Sequence, residues 1–388
     1  MKKVVLFIVT ILIFFICSFS YACCEEKKND TDDLLNNNTI ENFYKQIEED
    51  SSEQSILKSL NPREFINKYS KDGKSSISAS TIIDLISKNL FKELYVCVKI
   101  MISIIVIAII SALLKNIEDS FTGSSIANIA FYSCYVLIIL LLTKNFVSSV
   151  NIAKSAIKDI TDFMSAIMPV LILLITTAGG ISQAATLDPI VVAAVTITPR
   201  IYMDIILPLI LMSFVLCFVN NISTEHKVEQ LAKFIKQITL WLQGIILTVF
   251  VGLITIRSMT ASTFDAVTLK TAKFAVDNFI PIVGKAISDS ISTVAGYALL
   301  LKNAFGVLGL IIILLMLLFP VIKIISIVIV YKISAAIIEP IVDKRIVNCI
   351  SSASDSLVLV SSMLFCVTLI FFILLCIMAN TGKLIIGG

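Results

Sequence analysis

Residues 304–339, AFGVLGLIIILLMLLFPVIKIISIVIVYKISAAIIE, form a long apolar run. A transmembrane α-helix needs about 20 predominantly apolar residues, and this run is well beyond that length. One proline, Pro320, lies inside it. The run therefore predicts either one long kinked helix or a tight hairpin of two helices, and both alternatives place it in a membrane.

The composition of the whole chain agrees with a membrane location. The 388 residues are 57% hydrophobic and 15% charged, and the mean hydropathy is +0.96. Soluble domains carry about 25% charged residues, so this chain is predicted to be an integral membrane protein surrounded by the lipid bilayer. The net charge of +3 is too small to indicate nucleic acid as a partner.

The apolar runs predict an all-α polytopic protein with about six transmembrane helices. The run at 163–179 is short and contains Pro169, which favours a Pro-broken half-span or re-entrant segment. The run at 189–220 contains Pro208 and, like the run at 304–339, predicts either one long kinked helix or a tight hairpin. The predicted spans lie at about 95–114, 125–143, 189–220, 238–257, 304–339 and 357–379.

The N-terminus has the pattern of a secretory signal peptide over residues 1–22. Lys2 and Lys3 precede an apolar stretch, and Ser20 and Ala22 supply the small residues of a cleavage site. Cys23 follows directly, so a lipoprotein signal and an uncleaved anchor remain alternatives. Residues 23–94 are polar and predict a small helical extracytoplasmic segment, and residues 95–388 predict the membrane domain.

The prolines suggest a parallel internal repeat. Pro169 and Pro208 lie 39 residues apart, as do Pro281 and Pro320, and one shift of 112 residues relates the two pairs. The repeat units would cover about 147–257 and 259–379, each with a Pro-broken segment followed by a long Pro-containing span. All four prolines are predicted helix breaks.

The predicted topology follows from the charged loops. With residues 23–94 outside and two crossings in each unit, the loops after 220 and after 339 both lie in the cytoplasm. The first carries His226, Lys227, Lys233 and Lys236, and the second carries Lys344 and Arg345. Positive charge on cytoplasmic loops is the usual arrangement.

Two pairs of charges are candidate path-lining or partner-contact residues. Within residues 279–303, Lys285 and Asp289 lie four residues apart on the polar face of an amphipathic helix, which predicts a helix at the membrane interface or beside a wet cavity. Arg200 and Asp204 have the same spacing inside the run at 189–220, where mutual pairing would offset the cost of placing charge in the membrane. Lys99 and Lys302 lie near predicted helix ends, and we expect them to reach the interface.

Motifs of enzymes and cofactor sites are absent from the sequence. It contains no Walker loop, GxSxG or HExxH motif, its single histidine is His226, and its nine cysteines show no metal-ligand spacing. The sequence therefore predicts a protein without catalytic residues, cofactor or metal.

Three segments in order, FDAVTLKTAKFAVDNFIPIVGKAISDS, ALLLKNAFGVLG and LLFPVIK, resemble the stage III sporulation protein AE family of endospore-forming bacteria. The resemblance is most specific over residues 264–323. It implies a component of a secretion-like channel complex between mother cell and forespore, located in the mother-cell membrane that faces the forespore. It also implies as partners the other membrane proteins of the stage III sporulation A operon, a cytoplasmic ATPase and extracytoplasmic ring proteins. A stand-alone transporter or permease of a small solute is the alternative.

Overall fold

The structure is a computed structural model that describes residues 79–120, 125–222, 228–279 and 284–380. Side chains are described over most of these ranges, but not for 257–292. The predicted signal peptide, residues 23–78 and Pro281 lie outside the described residues.

The regular structure of these residues is entirely helical, which confirms the predicted all-α class. Six of the helical segments are long and apolar enough to cross a membrane, in agreement with the predicted number. The helices are α1 (Ala79–Ser120), α2 (Ser125–Thr177), α3 (Ile181–Ile201), α4 (Leu207–Ile222), α5 (Glu229–Phe279), α6 (Gly284–Ile338) and α7 (Lys344–Asn380), and a π-helical turn, Tyr202–Ile206, joins α3 to α4.

Helices α6 and α7 form the centre of the bundle. Helix α6 packs against α7, α1, α2 and α5, and α7 also packs against α2, α4 and α5. Leu308 and Ile324 of α6, like Leu364 and Phe371 of α7, are fully buried. A helix that is apolar on all sides is suited to such a central position, and the run at 304–339 has this character.

Two of the predicted helix breaks are wrong. Helix α2 continues through Pro169 and α6 continues through Pro320, so 163–177 extends a long helix instead of forming a half-span segment. A proline removes one backbone donor, and neighbouring helices compensate for that loss in membrane bundles. The run at 304–339 is accordingly the C-terminal part of one helix and not a hairpin.

At Pro208 the backbone does depart from α-helical geometry. The π-helical turn Tyr202–Ile206 ends two residues before it, and the N–H of Leu207 donates to the carbonyl of Tyr202 five residues earlier. Pro208 has no N–H to give to the carbonyl of Asp204, and its ring would crowd that carbonyl in a regular helix. A wider turn relieves this conflict, so the chain continues into α4 without ending.

The amphipathic segment at 279–303 does not form the separate interfacial helix that was one of its two predicted forms. From Gly284 onward it forms the first turns of α6 and is continuous with the spanning helix. It is therefore not a separate helix lying on the membrane surface. The helix continues through Gly296, because a single glycine is tolerated within a helix.

The bundle is longer than a bilayer is thick. The candidate span Lys344–Ala379, nearly the whole of α7, has 36 residues, so at 1.5 Å per residue it is about 54 Å long. Fitting that length into a hydrocarbon layer of about 30 Å would need a tilt of about 56°, beyond the usual range of about 0–40°. Part of the bundle therefore extends beyond the hydrocarbon layer.

The predicted repeat has only partial counterparts in these helices. A shift of 112 residues places α3 and α4 on α6, and the start of α5 on the start of α7. The same shift places Pro169, which lies within the C-terminal part of α2, on Pro281, between α5 and α6. The repeat and its unit boundaries remain a prediction.

Candidate functional site

Arg200 and Asp204 lie at the junction of α3 and the π-helical turn, and both side chains are exposed. The predicted ion pair between them is absent from the described part of the chain, where four other ion pairs occur. For two charges four residues apart in a helix, a pair with the cation N-terminal to the anion is less stabilising than the reverse order. The π-helical turn, which starts between the two residues, also changes the helical geometry that the prediction assumed.

The other predicted charges have separate locations. Lys285 and Asp289 belong to the first turns of α6, and the structure describes their backbone but not their side chains. Lys99 is exposed, as expected, whereas the expectation for Lys302 is wrong. Lys302 is fully buried at the α6 core and interacts with neighbouring groups, because helices surround α6 on several sides and leave its side chain no route to an interface.

A network of ionised side chains joins α5, α6 and α7. Lys332 Nζ donates to Asp355 Oδ1 at 2.8 Å, and Lys236 Nζ lies 3.1 Å from Asp355 Oδ2. Lys332 also donates to the Oγ and the backbone carbonyl of Ser351, at 2.9 and 3.2 Å. The Asp355 side chain is 31% exposed, and the side chains of Lys236 and Lys332 are 38% and 23% exposed. One carboxylate thus holds three helices together through charge-assisted hydrogen bonds, the stronger kind of hydrogen bond.

A second polar contact lies deeper in the bundle, next to the π-helical turn. The Tyr202 hydroxyl donates to the backbone carbonyl of Gln243 at 3.4 Å, and Ser362 Oγ donates to the side-chain carbonyl of Gln243. Gln243 is 2% exposed, and its Nε2 has no hydrogen-bond acceptor among the described residues. Gln243, on α5, therefore connects the π-helical turn to α7. Its Nε2 remains available to donate a hydrogen bond.

The C-terminal part of α1 is tied to the turn between α6 and α7. The Lys115 ammonium is hydrogen-bonded to Asp343 Oδ2, and the backbone N–H of Arg345 donates to Asp343 Oδ1 at 2.8 Å, which caps α7. Burial opposes ionisation of the Asp343 carboxyl, but the Arg345 backbone N–H and the Lys115 ammonium outweigh it and hold the pKa below its ordinary value. Both chain segments therefore lie at the same end of the bundle, as the predicted topology requires.

A groove of about 530 Å³ lies between α2 and α3. Pro169 is exposed on its wall, so this residue shapes a surface without ending its helix. The remaining lining is mostly apolar, with hydroxyl groups from both helices. The lining residues are Ser165, Met168, Ile172, Leu173, Thr176, Val191, Val192, Val195 and Thr196.

Sequence reasoning missed the two interior polar contacts. Lys236 was counted only as a loop charge, and Asp355, Gln243 and Ser362 were not singled out. Their signal was present, because an ionisable or amide side chain within a candidate span requires a partner. In the described residues no group of three His, Cys, Asp or Glu side chains is placed to hold a metal ion. The geometry is that of polar contacts that join helices.

Comparison with known proteins gives one consistent result. The family model of stage III sporulation protein AE matches residues 60–382. Stage III sporulation protein AE of Bacillus subtilis (strain 168) is 32% identical over 321 residues, which cover 83% of this chain and 79% of that protein. No solved structure matches the chain. A match over most of the chain, to both a family and one of its members, shows that this chain belongs to the stage III sporulation protein AE family.

Proposed function

We propose that the chain is a non-enzymatic integral membrane component of a secretion-like channel complex that joins mother cell and forespore and supports forespore development. The observation that carries the proposal is membership of the sporulation family together with six helices able to cross a membrane. The chain is located in the mother-cell membrane that faces the forespore, with residues 23–94 on the extracytoplasmic side.

The role is structural, and the chain frames a path between helices. Its partners are the other membrane proteins of the stage III sporulation A operon, a cytoplasmic ATPase that supplies energy, and extracytoplasmic ring proteins. The Lys236–Asp355–Lys332 network supports this role because it fixes three helices at one point of the bundle. Arg200 and Asp204, which are exposed on the bundle surface, are available for a path or for a partner.

Deletion and complementation test the proposal in sporulating cells. Loss of the gene is expected to arrest development after the forespore has been engulfed, and the wild-type gene is expected to restore spores. Replacing both Lys285 and Asp289 by serine is expected to lower spore yield at unchanged protein level, if their face contributes to the path. Normal spores from the deletion strain would contradict the proposal.

A transporter of a small solute is the second candidate. The observation that favours it is the fully buried Lys302 within the candidate span Thr293–Ile338. Charged residues inside membrane bundles often mark substrate or proton routes. Uptake of a solute by liposomes that contain only this protein, lost in Lys302→Met, would favour that candidate.

A further inference from the structure

Helix α2 carries a continuous polar stripe on its outer surface. The stripe consists of Lys144, Ser148, Asn151, Ser155, Lys158, Asp162 and Ser165, which follow one another at alternating spacings of four and three. Asp162 is half-buried and the other six are exposed. This spacing places all seven on one face of an α-helix, and 21 residues of helix extend over about 32 Å.

The stripe lies beside the apolar interior of the bundle along its whole length. Near its start, the Phe146 ring stacks on Phe214 of α4 with ring centroids 3.7 Å apart. Beyond its end, Ile167 contacts α6 at Gly309, where an added Cβ would lie 2.6 Å from the Ile167 Cδ1. The opposite face of α2, including Ala153 and Ile160, is fully buried.

Other helices present apolar side chains at the level where the stripe begins. Around Phe214, α4 exposes Met212, Val215 and Val219, which are 54%, 56% and 43% exposed. The exposed surface of α4 is therefore suited to acyl chains, and the polar stripe of α2 is not. A charged side chain at the centre of the bilayer costs about 2.5–3.5 kcal/mol on insertion scales, and serine and asparagine are too short to reach an interface as lysine does.

The polar surface continues from α2 onto α3. Ser165 and Thr196 line the same groove from its two walls. Arg200 of α3 and Asp204 of the π-helical turn follow Thr196 at steps of four residues, and both are exposed. Helices α2 and α3 are joined by the short turn at 178–180 and pack against each other, so at 1.5 Å per residue Arg200 lies at about the level of the second half of the stripe.

A protein partner is a poor match for this surface. The centres of protein interfaces are rich in aromatic and apolar anchors and poor in lysine. The stripe has no aromatic residue and includes two lysines, with Lys154, also exposed, beside them. Exposed hydroxyl, amide and charged groups of this kind form hydrogen bonds readily with water.

We propose that the α2 stripe, from Lys144 to Ser165, faces water within the membrane assembly and forms one wall of a hydrated path, which Thr196, Arg200 and Asp204 extend. This deepens the proposed function and rests on it, since the path belongs to the channel complex. One chain supplies one wall of that path.

The test is the reactivity of single cysteines in a full-length, cysteine-free chain. Ser148→Cys, Asn151→Cys and Ser155→Cys report on the stripe, and Leu137→Cys and Val215→Cys are matched controls, since both wild-type side chains are exposed and apolar. The probe is a charged methanethiosulfonate, applied to opened membrane vesicles from sporulating cells and to purified protein in nanodiscs. Spore yield of each variant verifies that it is folded and assembled.

Stripe cysteines are expected to react at least about tenfold faster than the controls in the vesicles, where the assembly is present, because a thiol ionises in water and not among acyl chains. Slow reaction in both would overturn the proposal by placing the stripe against lipid. Fast reaction in nanodiscs with slow reaction in vesicles would also overturn it, because a protein partner would then cover the stripe. Co-purification of the complex would be unaffected by either result, so failure of this inference is distinguishable from failure of the proposed function.

Discussion

The Asp355 carboxylate of α7 lies 2.8 Å from the ammonium of Lys332 on α6. The same carboxylate reaches Lys236 on α5, so one acidic side chain balances two basic ones at a junction of three helices. Removing the carboxylate would leave two partly buried ammonium groups without their shared counter-ion.

Asp355→Asn is therefore expected to destabilise the bundle by about 1–3 kcal/mol, the cost of losing hydrogen bonds to charged groups. The matched control is Glu229→Gln, which breaks the Glu229–Lys233 pair, whose side chains are 52% and 64% exposed; such surface pairs contribute about 0.2–1 kcal/mol. The free energy of unfolding in mixed micelles, from SDS titration, distinguishes the two variants. Equal losses would contradict the structural importance of the network.

Helices α6 and α7 approach each other closely at Gly306. A Cβ added there would lie 2.6 Å from the Cβ of Ala379 and 3.4 Å from its Cα. Since neither atom can move without the backbone, Gly306→Ala is expected to separate the helices and to cost about 1–3 kcal/mol. Gly296→Ala, on the same helix with no neighbouring atom within 4 Å, is the control and should be neutral or mildly stabilising. The same SDS titration measures both, and a neutral Gly306→Ala would show that the helices are not in such close contact.

Asp343 makes stability depend on pH. Its pKa is lower in the folded protein than in the unfolded chain, so its contribution is complete above the unfolded pKa, near 3.9 for aspartate, and is lost as the pH falls through the folded value. Asp343→Asn keeps a side chain able to cap α7 but removes the charge. The difference in unfolding free energy between wild type and variant should be largest near pH 7 and should shrink below about pH 4. A difference that grows on acidification would contradict the assigned direction.

Topology is testable through the ends of the helices. Glu339 is exposed in the turn after α6, and Ile181, at the start of α3, is 64% exposed. In protoplasts of vegetative cells that express a cysteine-free chain, Ile181→Cys should react with an impermeant thiol reagent, and Glu339→Cys should react only after lysis. Labelling of Glu339→Cys in intact protoplasts would reverse the predicted orientation.

Much of the architecture was predictable because hydropathy and helical periodicity are local properties. The six spans and the helical nature of residues 284–303 follow from such patterns. Pro169 and Pro320 were misjudged because whether a proline ends a helix depends on the helices packed around it, which the local sequence does not specify. Pro208 follows a π-helical turn, which accommodates it at the start of α4.

The candidate site was less predictable, because its contacts join residues that are far apart in the chain. Lys236 and Asp355 are 119 positions apart, as are Gln243 and Ser362. Spacing alone favoured the Arg200–Asp204 pair, which the structure does not form. Lys302 was assigned to an interface from its position near a predicted helix end, whereas α6 begins at Gly284 and surrounding helices bury it.

The central claim is that this chain works as a membrane component of a sporulation channel complex. Identification of the proteins that co-purify with it tests this claim most directly. The full-length protein with an affinity tag is to be solubilised from sporulating cells after engulfment, purified and analysed by mass spectrometry. The account predicts co-purification of a cytoplasmic ATPase, extracytoplasmic ring proteins and other membrane proteins of the same operon, all missing from an untagged control. Purification of the chain alone, together with solute uptake by liposomes that contain only this protein, would contradict it.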